Sequence, residues 1–326
     1  MTAAASAGDC PQTVPEMVRL LSGRLHYRTS LGAQYSGDSQ HLLGELATGS
    51  VDLFVTSPPF PLLRSKEYGN ADQDAYVEWL LPFAEAAHRA LKPCGSLVLD
   101  LGGAYQRGRP VRSLHQFRVL LALTDRLGFH LAQDFYWHNP SRLPSPAEWV
   151  TKRKIRAKDT VNTVWWLSTT SFPKADTTGV KTPYSASMRR LLADPRRHFT
   201  PAQRPSGHHV SAAFDTDRGG ALPTSLLTVP NSSSNGAYLR ECRRRGIRPH
   251  PARFSPKIPE FFISLCTEPG DLVVDFFSGS NTTGQAAEAL GRRWIAIDLD
   301  PGYANASAAR FPHARTVATT QGDPPD

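Results

Sequence analysis

Apolar and polar positions fall into blocks along this chain, and the blocks predict alternating strands and helices. Val51 to Thr56 (VDLFVT) and Ser96 to Leu101 (SLVLDL) are continuous apolar runs of strand length, the pattern of strands covered on both faces. Between them Asp74 to Leu91 has helical spacing, and Lys92-Pro93-Cys94-Gly95 predicts the turn that ends it. Val111 to Leu127 predicts a second helix, stopped at Gly128. Phe129 to Trp137 and Thr160 to Leu167 are rich in aromatic and β-branched residues and are expected to pair as an antiparallel edge, joined by the basic loop Asn139 to Asp159. From Ser171 to Pro249 periodicity fails, and Pro, Ser, Gly and Arg dominate. Then the α/β pattern returns, with a helix over Pro259 to Cys266, a strand over Leu272 to Phe276, a helix over Thr282 to Leu290 and a strand over Trp294 to Asp298. The expected fold is α/β, a mostly parallel sheet split in sequence by a loop-rich insert.

Length and composition narrow this little. The 326 residues are 40% hydrophobic and 20% charged, values of an ordinary globular protein. No apolar run approaches the roughly 18 residues of a membrane helix, so no membrane partner is expected. Met1 to Pro15 lacks a basic segment followed by an apolar one and reads as a flexible lead-in, not a signal peptide. The four cysteines (Cys10, Cys94, Cys242, Cys266) include no CxxC pair, which fits a reducing cytoplasm without disulfides or zinc.

Charge changes the picture more. The net charge is +8, but Trp137 to Lys257 holds 21 Lys and Arg against 7 Asp and Glu, while the remainder is net negative. A surplus of this size in one stretch implies a polyanionic partner, and nucleic acid is the expected one.

Two loops carry candidate chemistry. The first, Asp275 to Gly284 (DFFSGSNTTG), joins a buried strand to a helix. Gly279 permits a tight turn, the helix start supplies amide donors, and Asp298 ends the next strand, where a carboxylate suits the two hydroxyls of a ribose. This is a layout for a nucleoside-containing cofactor. The spacing is not G-x-G-x-x-G, which weighs against NAD or FAD. The second loop, Thr56-Ser57-Pro58-Pro59-Phe60, follows the strand VDLFVT. Two prolines make it rigid and leave carbonyls to accept, Ser57 adds a hydroxyl, and Phe60 adds a flat apolar face. Two acceptors on the hydrogens of an aromatic amine would draw its nitrogen toward sp³ geometry as it attacks, and Phe60 could stack on an extruded base.

Together these motifs resemble the amino-methyltransferases of restriction–modification systems, whose signatures are [DNS]-P-P-[YFW] and F-x-G-x-G. The order here, with the catalytic loop first, the basic insert second and the cofactor loop third, is like the beta class. Further stretches are especially similar to cytosine-N4 members: Gly37-Asp38-Ser39, Lys66 to Asn70, Gly102 to Tyr105, Asp134 to Trp137, Asn162 to Trp166, Thr200-Pro201, Arg204 to His208, His250 to Phe254 and Gly279 to Gly284. The similarity runs from about Tyr35 to Phe311.

The resemblance implies a Rossmann-like, circularly permuted S-adenosylmethionine-dependent methyltransferase sheet with a basic target-recognition insert. It implies a flexible segment 1–22, a catalytic half 23–170, a recognition region 171–249, a cofactor half 250–312 and a flexible tail 313–326. Ser57, Pro58, Pro59 and Phe60 would hold the target amine and base, and Asp100 would accept its proton. Asp38, Phe254, Asp275, Gly279, Ser280, Asn281, Thr282 and Asp298, with Ser57 at the junction, would hold S-adenosylmethionine. Arg204 and His208 would contact DNA, and the run Arg243, Arg244 and Arg245, from its place in the basic insert, is expected on phosphate. No metal is required for direct methyl transfer. The expected partner is double-stranded DNA, methylated by a monomer in the bacterial cytoplasm and guarded against a cognate endonuclease. The serine form of the proline motif is associated with cytosine N4, imperfectly, so adenine N6 stays open, and structured RNA is a more remote substrate. A DNA-binding regulator with an inactive methyltransferase domain is the alternative of another class. The intact Ser57-Pro58-Pro59-Phe60 and cofactor loop argue against it. Asp298 stands where a very similar cytosine-N4 member has glutamate, and either acid can hold a ribose.

Other signals are read as structural. Cys94 is expected to be a turn residue, His208, His209 and His250 are not spaced as metal ligands, and Trp165 and Trp166 are expected in packing.

Overall fold

The apolar runs become neighbouring strands in a computed structural model, which describes residues 21–61, 73–198, 215–232, 236–253 and 255–316. The strands are β1 (Arg24–Arg28), β2 (Gly32–Ser36), β3 (Val51–Thr56), β4 (Leu91–Leu101), β5 (His130–His138), β6 (Val161–Ser168), β7 (Leu226–Thr228), β8 (Leu272–Asp275), β9 (Arg293–Asp298) and β10 (Arg315–Thr316). Among the described residues they form one sheet in the order β10-β1-β2-β9-β8-β3-β4-β6-β5-β7. Its middle, β2-β9-β8-β3-β4, is parallel, and β6 runs antiparallel between β4 and β5. The helices are α1 (Ser39–Glu45), α2 (Tyr76–Ala90), α3 (His115–Asp125), α4 (Ala186–Ala193), α5 (Pro195–His198), α6 (Ala237–Arg244), α7 (Lys257–Cys266), α8 (Thr282–Ala289) and α9 (Pro301–Ser307). No helix among the described residues is long and apolar enough to cross a membrane.

The all-apolar strands are explained by cover on both faces. Phe54, Leu97, Leu99, Val274 and Ile295 share one core with Leu43 of α1, Leu80 of α2 and Leu123 of α3. Helix α7 packs on β3 and β4, and its buried Ile258 and Phe262 lie outside that core, on the other face. Every residue of β3 is buried. Its one charge, Asp52, is satisfied by Lys92 Nζ at 2.7 Å and the Leu272 N–H at 2.9 Å, which ties β3 to both neighbouring strands.

Three expectations change. Lys92 to Gly95 is not a turn, because β4 begins at Leu91, directly after α2, and bulges before Ser96 pairs with Leu53. The carbonyls of Lys92 and Pro93 accept from the Thr169 hydroxyl, and that of Cys94 accepts from the Lys174 N–H, which holds this stretch extended. Helix α3 starts at His115, not at 111, because Tyr105 and Arg112 pair across a short loop and the Ser113 N–H bonds the Ala104 carbonyl. Strands β5 and β6 pair antiparallel as expected, but β5 is not the edge, since β7 adds beside it in parallel. Trp165 and Trp166 are buried as expected.

Residues Asp176–Thr224 form a compact unit of their own, holding α4 and α5. It is narrower than the expected 171–249, for residues 225–249, including β7 and α6, group with the sheet.

Candidate active site

Ligands of parallel sheets bind beyond the carboxyl ends of the strands, and both chemical loops leave the sheet there. Strands β3 and β8 pair directly, and the Thr56 hydroxyl donates to Asp275 Oδ1 across 2.8 Å. The Ser57 to Phe60 loop, Asp38, Asp100, Gly279, Ser280, Thr282 and Asp298 all line one cavity of about 1210 Å³. That exceeds the roughly 300–1,000 Å³ of an ordinary small-molecule site and leaves room for two reacting partners.

On the catalytic side the Ser57 hydroxyl donates to Asp100 Oδ2 at 3.1 Å. Asp100 is buried at the end of β4, and its Oδ1 accepts from Asn162 Nδ2 at 3.1 Å. Burial pushes its carboxyl up to about 6, against the opposing pull of Asn162, Ser57 and the Arg142 charge. The Pro59 carbonyl is occupied by the Tyr76 hydroxyl at 2.9 Å, so the two proline carbonyls are not equivalent. Phe60 packs against Gly102, where even a methyl group would collide with its ring.

On the other side Gly279 adopts φ +50°, the left-handed conformation glycine tolerates, and its N–H donates to Asp298 Oδ2 at 2.7 Å. Asp298 Oδ1 accepts from the Asp300 N–H at 3.0 Å, and burial again pushes the carboxyl up to about 6. Asp38 caps α1 by accepting from the Gln40 N–H at 3.0 Å. The His250 ring covers Gly279, and Arg310 donates to the Ser280 carbonyl at 2.6 Å and hydroxyl at 2.9 Å, so the loop is pinned. Phe277 stacks on Trp79 with centroids 5.6 Å apart and adds an apolar wall.

Two expected ligands are turned inward. Asp275 is 2% exposed, and its oxygens accept from Thr56, the Phe277 N–H and the Thr283 hydroxyl. Asn281 is fully buried at φ +53°, where it caps α8 through Gly284 and donates to the Tyr27 hydroxyl. Both build the loop without lining the cavity. Arg243, Arg244 and Arg245 are exposed around the end of α6, and Glu241 pairs with Arg244 and Arg245, each at 2.6 Å. Arg204, His208 and Phe254 lie outside the described residues. Arg142, Asn162, Trp79, Phe277 and His250 line the cavity without having been singled out for it. The only hint in the sequence lies in the Asn162 and His250 stretches that carry part of the family resemblance.

Residues 51–309 match the profile of a family described as DNA methylase. The chain is 55% identical over 285 residues, 87% of its length and 85% of the relative's, to the type II methyltransferase M.PvuII of Proteus hauseri. It is 25% identical over 89% of its length, and 84% of the relative's, to the type II methyltransferase M.ScaI of Streptomyces caespitosus. The solved structure of the cytosine-N4-specific PvuII DNA methyltransferase covers 90% of each chain, with a TM-score of 0.73 and 49% identity. A Thermus thermophilus protein solved with S-adenosyl-L-methionine shares the fold, at a TM-score of 0.52 and 20% identity over 85% of this chain and 95% of that one.

Proposed function

Because the chain belongs to the DNA methylase family that its residues 51–309 match, we propose that it transfers a methyl group from S-adenosylmethionine to the N4 amine of cytosine in a short duplex sequence. The observation that carries this reading is the Ser57 hydroxyl held on the buried Asp100 carboxyl, in the same cavity as Gly279 and Asp298.

S-adenosylmethionine, when bound, supplies a methyl group on a positively charged sulfur. The residues present fit it. Asp298 keeps lone pairs beyond its two backbone donors and suits the ribose hydroxyls, and Asp38 suits the purine amine. The Phe277 and Trp79 wall suits a flat ring.

Phe60, seated on Gly102, presents its face to an extruded cytosine. Ser57 and the Pro58 carbonyl accept from the amine hydrogens, which raises the electron density on nitrogen as the new bond forms. The amine must then shed a proton. Asp100 is the acceptor: the electron pair of the broken N–H bond stays on nitrogen and the proton goes to a carboxylate oxygen. The exposed arginines of α6 and the basic loop 139–159 supply phosphate contacts. We further propose, as the family resemblance implies, that the enzyme protects DNA from a partner endonuclease and works as a monomer.

Nucleoside mass analysis of unmethylated genomic DNA incubated with the purified protein and cofactor tests this. N4-methylcytosine is expected. N6-methyladenine would overturn the base assignment, and no methylated nucleoside would overturn the reading itself.

A further inference from the structure

Asp100 does not stand alone: two further side chains lead from it to the basic loop. Asn162 Nδ2 donates to Asp100 Oδ1 at 3.1 Å, and Arg142 donates to Asn162 Oδ1 at 2.9 Å. Arg142 is itself set by the turn Asn139-Pro140-Ser141-Arg142, in which the Arg142 N–H bonds the Asn139 carbonyl. We propose that Arg142 and Asn162 are positioning residues that keep the Asp100 carboxyl as an acceptor and direct the incoming proton to Oδ2.

The argument rests on donor counting, and on the reading of Asp100 as proton acceptor above. A guanidinium only donates, so it demands the oxygen end of the Asn162 amide. The amide NH₂ must then face Asp100, and Oδ1 can only accept. A proton on Oδ1 would point at an N–H. On Oδ2 it meets the Ser57 hydroxyl, which can rotate and accept instead. The network therefore makes the two oxygens unequal, and the free choice lies on the side of the target amine. Without Arg142 the amide could flip, turn its oxygen to Asp100 and stabilise the protonated acid, which is useless as a base. The charges around Asp100 agree: Arg142 favours the carboxylate, and the Tyr76 phenol, pushed up by burial, stays neutral and donates to Pro59.

The test compares Arg142→Met, Arg142→Lys, Asn162→Ala and Asp100→Asn. Single-turnover methylation of unmethylated genomic DNA is followed from pH 5 to 9 at saturating DNA and cofactor. In parallel the Asp100 carboxyl carbon is titrated by NMR in aspartate-labelled protein, with neither DNA nor cofactor present. Arg142→Met and Asn162→Ala should each raise the acid limb and the NMR midpoint by about one pH unit, the smaller end of what a lost opposite charge or donor does. The rate should drop about fivefold near pH 6, approach a deficit of about tenfold near pH 5 and recover near pH 8.5. Arg142→Lys, which keeps a donor and a charge, should stay near wild type. An inactive Asp100→Asn with both limb and midpoint unmoved in Arg142→Met and Asn162→Ala overturns this proposal alone. Full activity of Asp100→Asn overturns the acceptor reading and this proposal with it.

Discussion

A Cβ on Gly102 would stand 2.5 Å from Cε2 of Phe60, far inside ordinary carbon contact, so the ring rests on bare backbone just past the end of β4. The limit is space, and a single methyl group is enough to push the ring out of place. Gly102→Ala should therefore reduce the single-turnover methylation rate by the ~1–3 kcal/mol of one base–aromatic stack, about five- to 150-fold. Cofactor affinity, measured by calorimetry, should stay unchanged. An undiminished rate would remove Phe60 from base capture.

Ser57→Ala separates chemistry from binding. The hydroxyl acts on the amine as charge develops, so its loss should cut the methylation rate by about ten- to a thousandfold, the effect of removing one or two well-placed polar groups. Dissociation constants for DNA and S-adenosylmethionine, read by equilibrium titration, should barely move.

Acid should cut activity while three buried carboxylates shift stability the other way. They are opposed over the same range by the buried His26, His115 and His250 and the half-buried His88, whose lowered pKa values take stability away as pH falls. Asp100 must be ionised to accept a proton, so the methylation rate should fall about tenfold per pH unit below about 6. Burial raises Asp100, Asp275 and Asp298 each to about 6. Between the usual carboxylate pKa of about 4 and that value the folded chain binds more protons than the unfolded one. The contribution of these three groups thus favours the fold as pH drops through the window, and is lost as pH rises through about 6. Denaturation of wild type and Asp275→Asn compared between pH 4.5 and 8 isolates one such contribution; a rate that holds level to pH 5 would exclude Asp100 as acceptor.

Asp275 and Asp298 should part company on mutation. Asp275→Ala strands three donors, so about 1 kcal/mol of stability for each is expected to go, visible in urea unfolding, with Asp275→Asn milder. Asp298→Ala should mainly weaken S-adenosylmethionine binding, by about 1.5–3 kcal/mol per charged hydrogen bond lost. Equal effects of the two alanine variants on cofactor affinity would put Asp275 back among the ligands.

Glu241 holds two of the three arginines at the end of α6. Glu241→Gln should free them, tighten DNA binding at low salt and steepen its salt dependence by ~0.9 for each additional phosphate engaged. Arg243→Ala should do the reverse by a similar step. Filter-binding isotherms at several salt concentrations measure both, and parallel lines for all three proteins would show that the cluster does not touch phosphate.

Legibility in the sequence followed cover and length. Strands β3, β8 and β9 were plain because a strand covered on both faces is apolar throughout. Strands β1 (RLHYR) and β2 (GAQYS) were not, being short and mixed, and β7 has only three residues to announce it. Helix α1 hides because its seven residues are fewer than two full turns of pattern. In the site, Ser57, Phe60, Asp100, Gly279 and Asp298 could be read from motif and strand end together. The roles of Asp275 and Asn281 could not, because a polar side chain beside a glycine turn looks the same whether it faces a ligand or its own loop. Only the Thr56, Thr283 and Gly284 partners decide it. Arg142 was unreadable for a further reason. One arginine in a basic stretch does not reveal that it faces an amide.

The hydrogen bond from Thr56 to Asp275 spans 219 positions of the chain. At a synthesis rate of about 5–20 residues per second, β3 waits roughly ten to forty seconds for β8 to leave the ribosome. Through that interval an entirely buried-type strand has one bare edge, the condition under which a nascent chain sticks to its neighbours or to a chaperone. It also means that the site is completed late, since the proline loop can acquire the cofactor loop beside it only after residues 275–284 have been made.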